Sequence, residues 1–379
     1  MAKRNNGSNR TLKHFFNSRR KVGNSSRKHS TWKKRTRPKP HISLVDPALL
    51  NGTNTPEPRD GTYKGLWACR TDQEIDAHIS KWAATHRKKA LRALCEKVPP
   101  NKRAIVEALL NHPGAVSVPL LTSELVCLEA YKILGVSLAE MAQADSEIEF
   151  GLVTLISGED ATSHFVAELD PNTSRKRMVS TLRAMAPGFF FGVYELALFN
   201  SHRHPHGGRV LQPHGHAIIA GPPGTLAKAN QVAVKHAARY ASNISGAPAI
   251  NVKKVEATPI NLMRVSAYLF KQPYKCMNWN PGKDGKRGQM NGSEKGDRYV
   301  RYLRLAQLRT MVPFEDAMFA GGGGVGVRSR ITAFVRALAL REAHGGKAVL
   351  HPDAIASFWV DLMPYIRAKR WNLPIIKTR

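Results

Sequence analysis

The sequence predicts an α+β protein: an antiparallel sheet arranged as a split β-α-β unit, flanked by helical regions and preceded by a basic arm. Three observations carry that prediction. Between about residues 148 and 257, short apolar runs rich in β-branched and aromatic residues alternate with helical spacing in the order β-α-β-β-α-β. The segments on either side, 63–147 and 279–379, show helical periodicity. The first 42 residues contain 14 Lys and Arg and no Asp or Glu. Such a stretch cannot bury enough surface to fold alone, so residues 1–62 are expected to be a disordered basic arm and linker.

Size and charge narrow the class. A chain of 379 residues with 42% apolar content is long enough for real cores and for more than one domain. The net charge of +30 implies strong self-repulsion, which an anionic partner must neutralise, and nucleic acid is the usual one. Arg19, Arg20, Lys33, Lys34 and Arg35 in the arm are expected to hold phosphates by counterion release, without reading sequence. No run approaches twenty apolar residues and the N-terminus lacks the apolar core of a signal peptide, so a cytoplasmic protein without a membrane partner is expected. The cysteines (Cys69, Cys95, Cys127 and Cys276) are scattered, which argues against a disulfide framework or a zinc ribbon.

The elements follow in order. Helical spacing appears over Glu74–Cys95, Lys102–Leu110 and Leu121–Ala144, where Gly135 divides two short apolar stretches in the manner of a helix pair and Thr122 or Ser123 is placed to cap. Phe150–Ser157 reads as the first strand and Ser174–Met185 as a basic helix closed by Pro187-Gly188. Phe189–Phe199 and Val210–Ala220 read as a hairpin, Thr225–Asn243 as a helix and Ile250–Ala257 as the fourth strand. Asn261–Gln272 is a helix with Thr258 as its cap, Pro259 in its first turn and Pro273 ending it. That order is the ferredoxin- or RRM-like split β-α-β, in which the third strand lies between the first and the second. Helices return at Arg298–Met311, Arg328–Glu342 and Pro352–Lys369. The glycine run at 320–326 lacks the Gly-Lys-Ser/Thr of a P-loop and reads as a hinge, so no nucleotide cofactor is expected.

The candidate chemistry sits on the third strand, in Gln212–Ala220. His214 and His216 are two apart, so both imidazoles leave one face of the sheet. If Phe199 and Val210 close the hairpin, Glu195 falls opposite His214, within about 5.5 Å at Cβ. Two imidazoles and a carboxylate suit a divalent metal, Mn²⁺ or Mg²⁺ acting on phosphate as well as Zn²⁺ or Fe²⁺. The histidines in the preceding loop, His202, His204 and His206, read as solvated residues or phosphate contacts. On the last helix of the domain, Arg264, Tyr268 and Lys271 are spaced i, i+4, i+7 on one face. Cations beside a phenol favour its nucleophilic phenolate form, and Lys271 is placed either for that role or to hold a scissile phosphate. Arg264 and Lys275 add basic groups for DNA.

With these motifs in place, the sequence resembles the HUH endonuclease superfamily, and within it the rolling-circle replication initiators of plasmids and phages. Phe150–Ile156, with its internal Thr154, resembles the first motif; Gln212–Ile219 resembles the histidine motif; Tyr268–Lys271 fits Tyr-x-x-Lys; and Glu195 resembles the acid that completes the metal site. The likeness covers about residues 148–276 and departs at Gly215, where a bulkier residue is usual. Gln272 stands where two-tyrosine members carry a second nucleophile, so a single-tyrosine enzyme is implied. The resemblance implies a bacterial initiator that nicks and rejoins origin DNA through a 5′-phosphotyrosine on Tyr268. It would work with Mg²⁺ or Mn²⁺ on His214, His216 and Glu195, and rely on a host helicase and DNA polymerase. The alternatives are a single-tyrosine transposase, a non-catalytic basic nucleic-acid-binding protein and, more weakly, a zinc hydrolase. The implied organisation is arm and linker 1–62, helical subdomain 63–147, nuclease domain 148–278 and C-terminal helical region 279–379.

Overall fold

The computed structural model of the protein describes residues 65–103, 124–165, 167–200, 209–240, 248–271, 277–280, 289–292, 299–310, 312–344, 352–366 and 375–376. The arm residues Arg19, Arg20, Lys33, Lys34 and Arg35 lie outside these, as do Lys275, the loop histidines His202, His204 and His206, and the caps Thr122 and Ser123.

Helix α1 (Asp72–Lys97) begins where Thr71 accepts a hydrogen bond from the Glu74 amide. The region read as a helix pair is one continuous helix, α2 (Glu124–Ala144). Its Gly135 makes no turn, because a side chain there would collide with Met263, so the glycine serves close helix packing. Strand β1 (Glu149–Ile156) precedes α3 (Pro171–Met185). That helix starts a turn earlier than its apolar pattern suggested, since Asp170 caps the Thr173 amide at 3.0 Å and Pro171 takes the first helical position. The hairpin comprises β2 (Phe189–Asn200) and β3 (Arg209–Gly221). Helix α4 (Thr225–His236) gives way to a short 3₁₀ turn at Ala237–Tyr240. Strand β4 (Ile250–Val255) leads into α5 (Pro259–Leu269). Thr258 stands at the N-cap of α5, but its hydroxyl makes no capping bond.

The main strands lie in the order β4–β1–β3–β2, with each neighbouring pair antiparallel. The histidine strand therefore sits between the first and second strands. Phe199 faces Val210 and Glu195 faces His214, the register that closing the hairpin there required. Along its outer edge β2 gains further partners. Strand β5 (Met277–Asn280) joins the end of β2 in parallel and pairs in turn with β6 (Gln289–Gly292). After α6 (Tyr299–Thr310), β7 (Met318–Gly322) runs antiparallel to the start of β2. Helices α7 (Gly324–His344) and α8 (Pro352–Ile366) follow, and Ile375–Ile376 then pairs in parallel with Glu168–Leu169 as a separate two-stranded sheet.

The expected glycine hinge is thus an edge strand and a helix start. A side chain at Gly324 would strike the Phe190 carbonyl, and one at Gly322, with φ of 55°, the Gly188 carbonyl. Backbone must touch backbone there, which only glycine allows.

Both faces of the sheet are covered, so the strands read as near-continuous apolar runs, and Phe189, Phe190 and Phe191 are all buried. Helices α3 and α4 pack on one face, and α5, backed by α2, lies across the other. Gly215 faces α3, where a Cβ would lie 2.7 Å from the Met178 sulfur and 3.2 Å from Phe319, so a larger residue between the histidines would have to displace those side chains. One hydrophobic core runs from Leu66 through the sheet to Val335, so the three sequence segments 63–147, 148–278 and 279–379 all contribute to it. Among the described residues no helix is long and apolar enough to cross a membrane.

Candidate active site

Strand parity builds the site. Thr154 on β1 lies opposite His216 on β3, and Glu195 on β2 lies opposite His214. All four side chains leave the face that α5 covers. Both histidines are buried, at 7% and 4% exposure, so they are not surface residues of a sheet edge. Glu195 Oε2 lies 3.5 Å from His214 Nε2 and 3.2 Å from His216 Nε2. Among the described residues this is the sole group of three whose metal-ligating atoms converge, within 4.8 Å of one another.

The hydrogen bonds behind the imidazoles orient the two rings. His214 Nδ1 faces the Gln212 carbonyl at 3.3 Å. A carbonyl only accepts, so Nδ1 carries a proton, which leaves Nε2 as the ring's ligating atom. His216 Nε2 faces the Lys271 ammonium at 3.2 Å. An ammonium only donates, so the tautomer that accepts from Lys271 has its lone pair on Nε2 and its Nδ1–H directed at Thr154 Oγ1, 3.0 Å away. Glu195 Oε2, also 3.2 Å from Nε2, favours the opposite tautomer while no metal is bound. Burial, reinforced by Lys271, lowers His216 to about 3, so the ring is neutral near pH 7. A partner at Nδ1 behind each ring is the outer support that metal-binding histidines need.

Two lone pairs and a carboxylate oxygen facing one another repel unless a cation joins them. The donor set therefore fits a divalent metal. Within the chain itself the cation is Lys271, whose Nζ lies 3.0 Å from Glu195 Oε2. Burial opposes both charges. It pushes Glu195 up, yet the Lys271 ammonium outweighs it and holds the carboxyl well below the usual carboxylate range. It pushes Lys271 down, yet Glu195 and then Tyr268 hold the ammonium above its ordinary value. A further cation, Arg309 on α6, is lowered to about 10 by burial, with Cys127 and Glu195 acting in the other direction.

Tyr268 meets this group from α5. Its ring lies edge-on to His216, with centroids 4.9 Å apart, and the Lys271 ammonium sits 3.4 Å from its centroid. That is a cation–π contact between the candidate nucleophile and the cation on the triad. The helix ends sooner than its sequence pattern suggested. The amides of Phe270 and Lys271 bond three residues back, to Ala267 and Tyr268, which turns the chain out of α5. Lys271 consequently reaches the triad from beyond the helix.

Arg264 does not join it. Its guanidinium donates to the Cys69 carbonyl, from Nε at 2.6 Å and also from Nη2, and to Asn261 Oδ1 at 2.8 Å. The expected common face of Arg264, Tyr268 and Lys271 is therefore divided: Arg264 holds the segment before α1, and the other two meet the histidines. Sequence reasoning also left Thr154 without a role and passed over Trp67, whose ring lies 5.8 Å from Tyr268. For Thr154 a signal existed, because its parity on β1 places it on the histidine face. For Trp67 none did, since nothing local links positions 67 and 268. Compared with known proteins, the chain matches no family model, no curated protein and no solved structure.

Proposed function

We propose that this protein is a metal-dependent DNA nicking and joining enzyme of the HUH type, a rolling-circle replication initiator built on a ferredoxin-like sheet. The observation that supports this reading best is the meeting of three groups in one side-chain cluster. Glu195, His214 and His216 form a ligand set, Tyr268 stands edge-on to His216, and Lys271 touches both. Two imidazole nitrogens and a carboxylate oxygen that converge within 4.8 Å, with Lys271 as the chain's own neutralising cation, make a ready ligand set for a divalent ion.

In this reading Glu195, His214 and His216 hold Mg²⁺ or Mn²⁺, with Thr154 and the Gln212 carbonyl orienting the rings. A divalent ion there supplies Lewis-acid polarisation of a phosphodiester oxygen. Tyr268 loses its proton and its oxygen attacks phosphorus. The P–O3′ bond breaks, and the 3′ oxygen leaves and takes up a proton. The product is a 5′-phosphotyrosine and a free 3′-OH, and reversal by another 3′-OH reseals the strand without a nucleotide cofactor. Lys271 stabilises negative charge on the phenol oxygen before attack. The net charge of +30 suits origin DNA as partner. The setting is a bacterial cytoplasm in which a host helicase and DNA polymerase extend the 3′ end.

The test incubates the protein with labelled single-stranded origin candidates and Mn²⁺ and looks for a denaturation-resistant adduct. The wild type is expected to form one that maps to Tyr268, and Tyr268→Phe to bind DNA but form none. Labelling that survives in Tyr268→Phe would show that the nucleophile is elsewhere. Binding without any adduct, indifferent to EDTA, would leave a basic nucleic-acid-binding protein.

A further inference from the structure

The segment that carries Trp67 lies outside the strand, histidine and tyrosine arrangement, yet it reaches the nucleophile. Residues 66–68 form a 3₁₀ turn anchored by Leu66, which is 3% exposed. On the far side, Thr71 caps α1, and Glu74 Oε2 accepts the Arg70 amide at 2.5 Å. Between these anchors the Cys69 carbonyl takes two donors from Arg264, which sits one helical turn before Tyr268 on α5. Arg264 is thus a strut between the turn and the tyrosine helix, and charge-assisted bonds of this kind are about twice as strong as neutral ones.

The strut presents the half-buried indole of Trp67 to the phenol, with ring centroids 5.8 Å apart and planes at 36°. Tyr268 is then bounded on three sides: His216 edge-on at 4.9 Å, the Lys271 ammonium at 3.4 Å from its centroid, and Trp67. Two of these groups belong to the triad and its cation. Trp67 is the one whose position depends on a distant part of the chain.

We propose that Trp67, held by the Arg264 strut, is a positioning residue that confines the Tyr268 ring in the orientation needed to attack phosphorus. This rests on the nucleophile assignment made above. It assigns a role in the site to residues 65–70, and it makes Arg264 a support for the nucleophile. Misplacing a reacting atom by about 1 Å costs on the order of 100-fold in rate. The indole therefore governs the chemical step and leaves DNA affinity largely alone.

The experiment measures single-turnover adduct formation at saturating single-stranded DNA, DNA affinity and Mn²⁺ affinity in the full chain. Trp67→Ala is expected to slow adduct formation about 10- to 100-fold, with both affinities within about threefold of wild type. Trp67→Phe restores most of the rate. Arg264→Gln mimics Trp67→Ala, and the double variant is no slower than the slower single, because both act through one contact. The protein has nine tyrosines; with fluorotyrosine labelling, the ¹⁹F line that disappears in Tyr268→Phe is expected to shift in Trp67→Ala. Adduct formation by Trp67→Ala at the wild-type rate, or a slowed rate accompanied by lost Mn²⁺ binding, overturns the proposal. If the wild type forms no adduct on Tyr268, the nucleophile assignment fails, and the ¹⁹F line still decides whether Trp67 orders that ring: an unmoved line overturns the positioning role.

Discussion

Replacing Lys271 with methionine is the sharpest probe of the triad. The ammonium lies 3.0 Å from Glu195 Oε2 and 3.2 Å from His216 Nε2, so it stands among the atoms that would ligate a metal. A dication cannot join them while the ammonium remains there; metal entry must move the lysine. At an effective dielectric of about 20, unit charges 3.0 Å apart attract by roughly 5–6 kcal/mol. A lysine that swings toward Tyr268 or the DNA phosphate recovers part of that, leaving a net competition of about 1.5–3 kcal/mol, or roughly 10- to 100-fold in affinity. Methionine keeps the length and apolar character of the stem and removes the charge. Lys271→Met is therefore expected to bind Mn²⁺ about 10- to 100-fold more tightly than wild type by calorimetry or electron paramagnetic resonance. Without metal it should melt lower, because Glu195 loses its buried partner, and Mn²⁺ should raise its melting temperature more than that of the wild type. Unchanged or weaker Mn²⁺ binding by Lys271→Met, with binding still abolished in His216→Ala, would refute the competition between lysine and metal.

Other perturbations test the supporting structure. Thr154→Val removes the acceptor of the His216 Nδ1 proton and should weaken Mn²⁺ binding about 10- to 100-fold while the melting temperature changes little; titration of the purified variant checks this. Gly324→Ala would drive a methyl group into the Phe190 carbonyl and should lower unfolding free energy in urea by about 2–3 kcal/mol, whereas a free hinge would accept it. Burial, with Arg309 and Lys89 beside it, lowers His86 to about 3. Its folded pKa is depressed below the unfolded value near 6.5, so the unfolded chain takes up the proton first and stability is lost as pH falls through that window. From pH 7 to pH 5 the loss from this group is about 2 kcal/mol, and His86→Phe should flatten the pH profile by that amount in denaturant titrations.

Much of the sheet was legible because its signals are local. Apolar runs at Phe150–Ile156, Phe189–Phe199 and Val210–Ala220 name their strands, and the parity of His214 and His216 puts both rings on one face whatever the rest of the chain does. Helix ends were less legible. Tyr268–Lys271 looks like continuous helix, but the turn after Leu269 depends on two amides bonding three residues back. Glycines were misread for a similar reason. Gly135 and the run at 321–324 look like breaks in a one-dimensional pattern, while in space each is a place where two backbones or a helix and a side chain meet too closely for a Cβ.

The sequence by itself determined which residues can carry chemistry, namely two histidines of fixed parity, one acid in the facing strand and a tyrosine beside a lysine. It also set a net charge of +30, the basis for expecting an anionic partner. Tertiary structure alone decided their alliances. Lys271 pairs with Glu195 across 76 positions, Arg264 grips a carbonyl 195 residues away, and Thr154 bonds His216 Nδ1 from another strand. Side-chain type and strand period are properties of neighbouring residues, so they can be read from order along the chain. Charge pairing, desolvation and the closeness of two backbones are properties of distance in space, which exists only once the sheet has formed and its helices have closed over it.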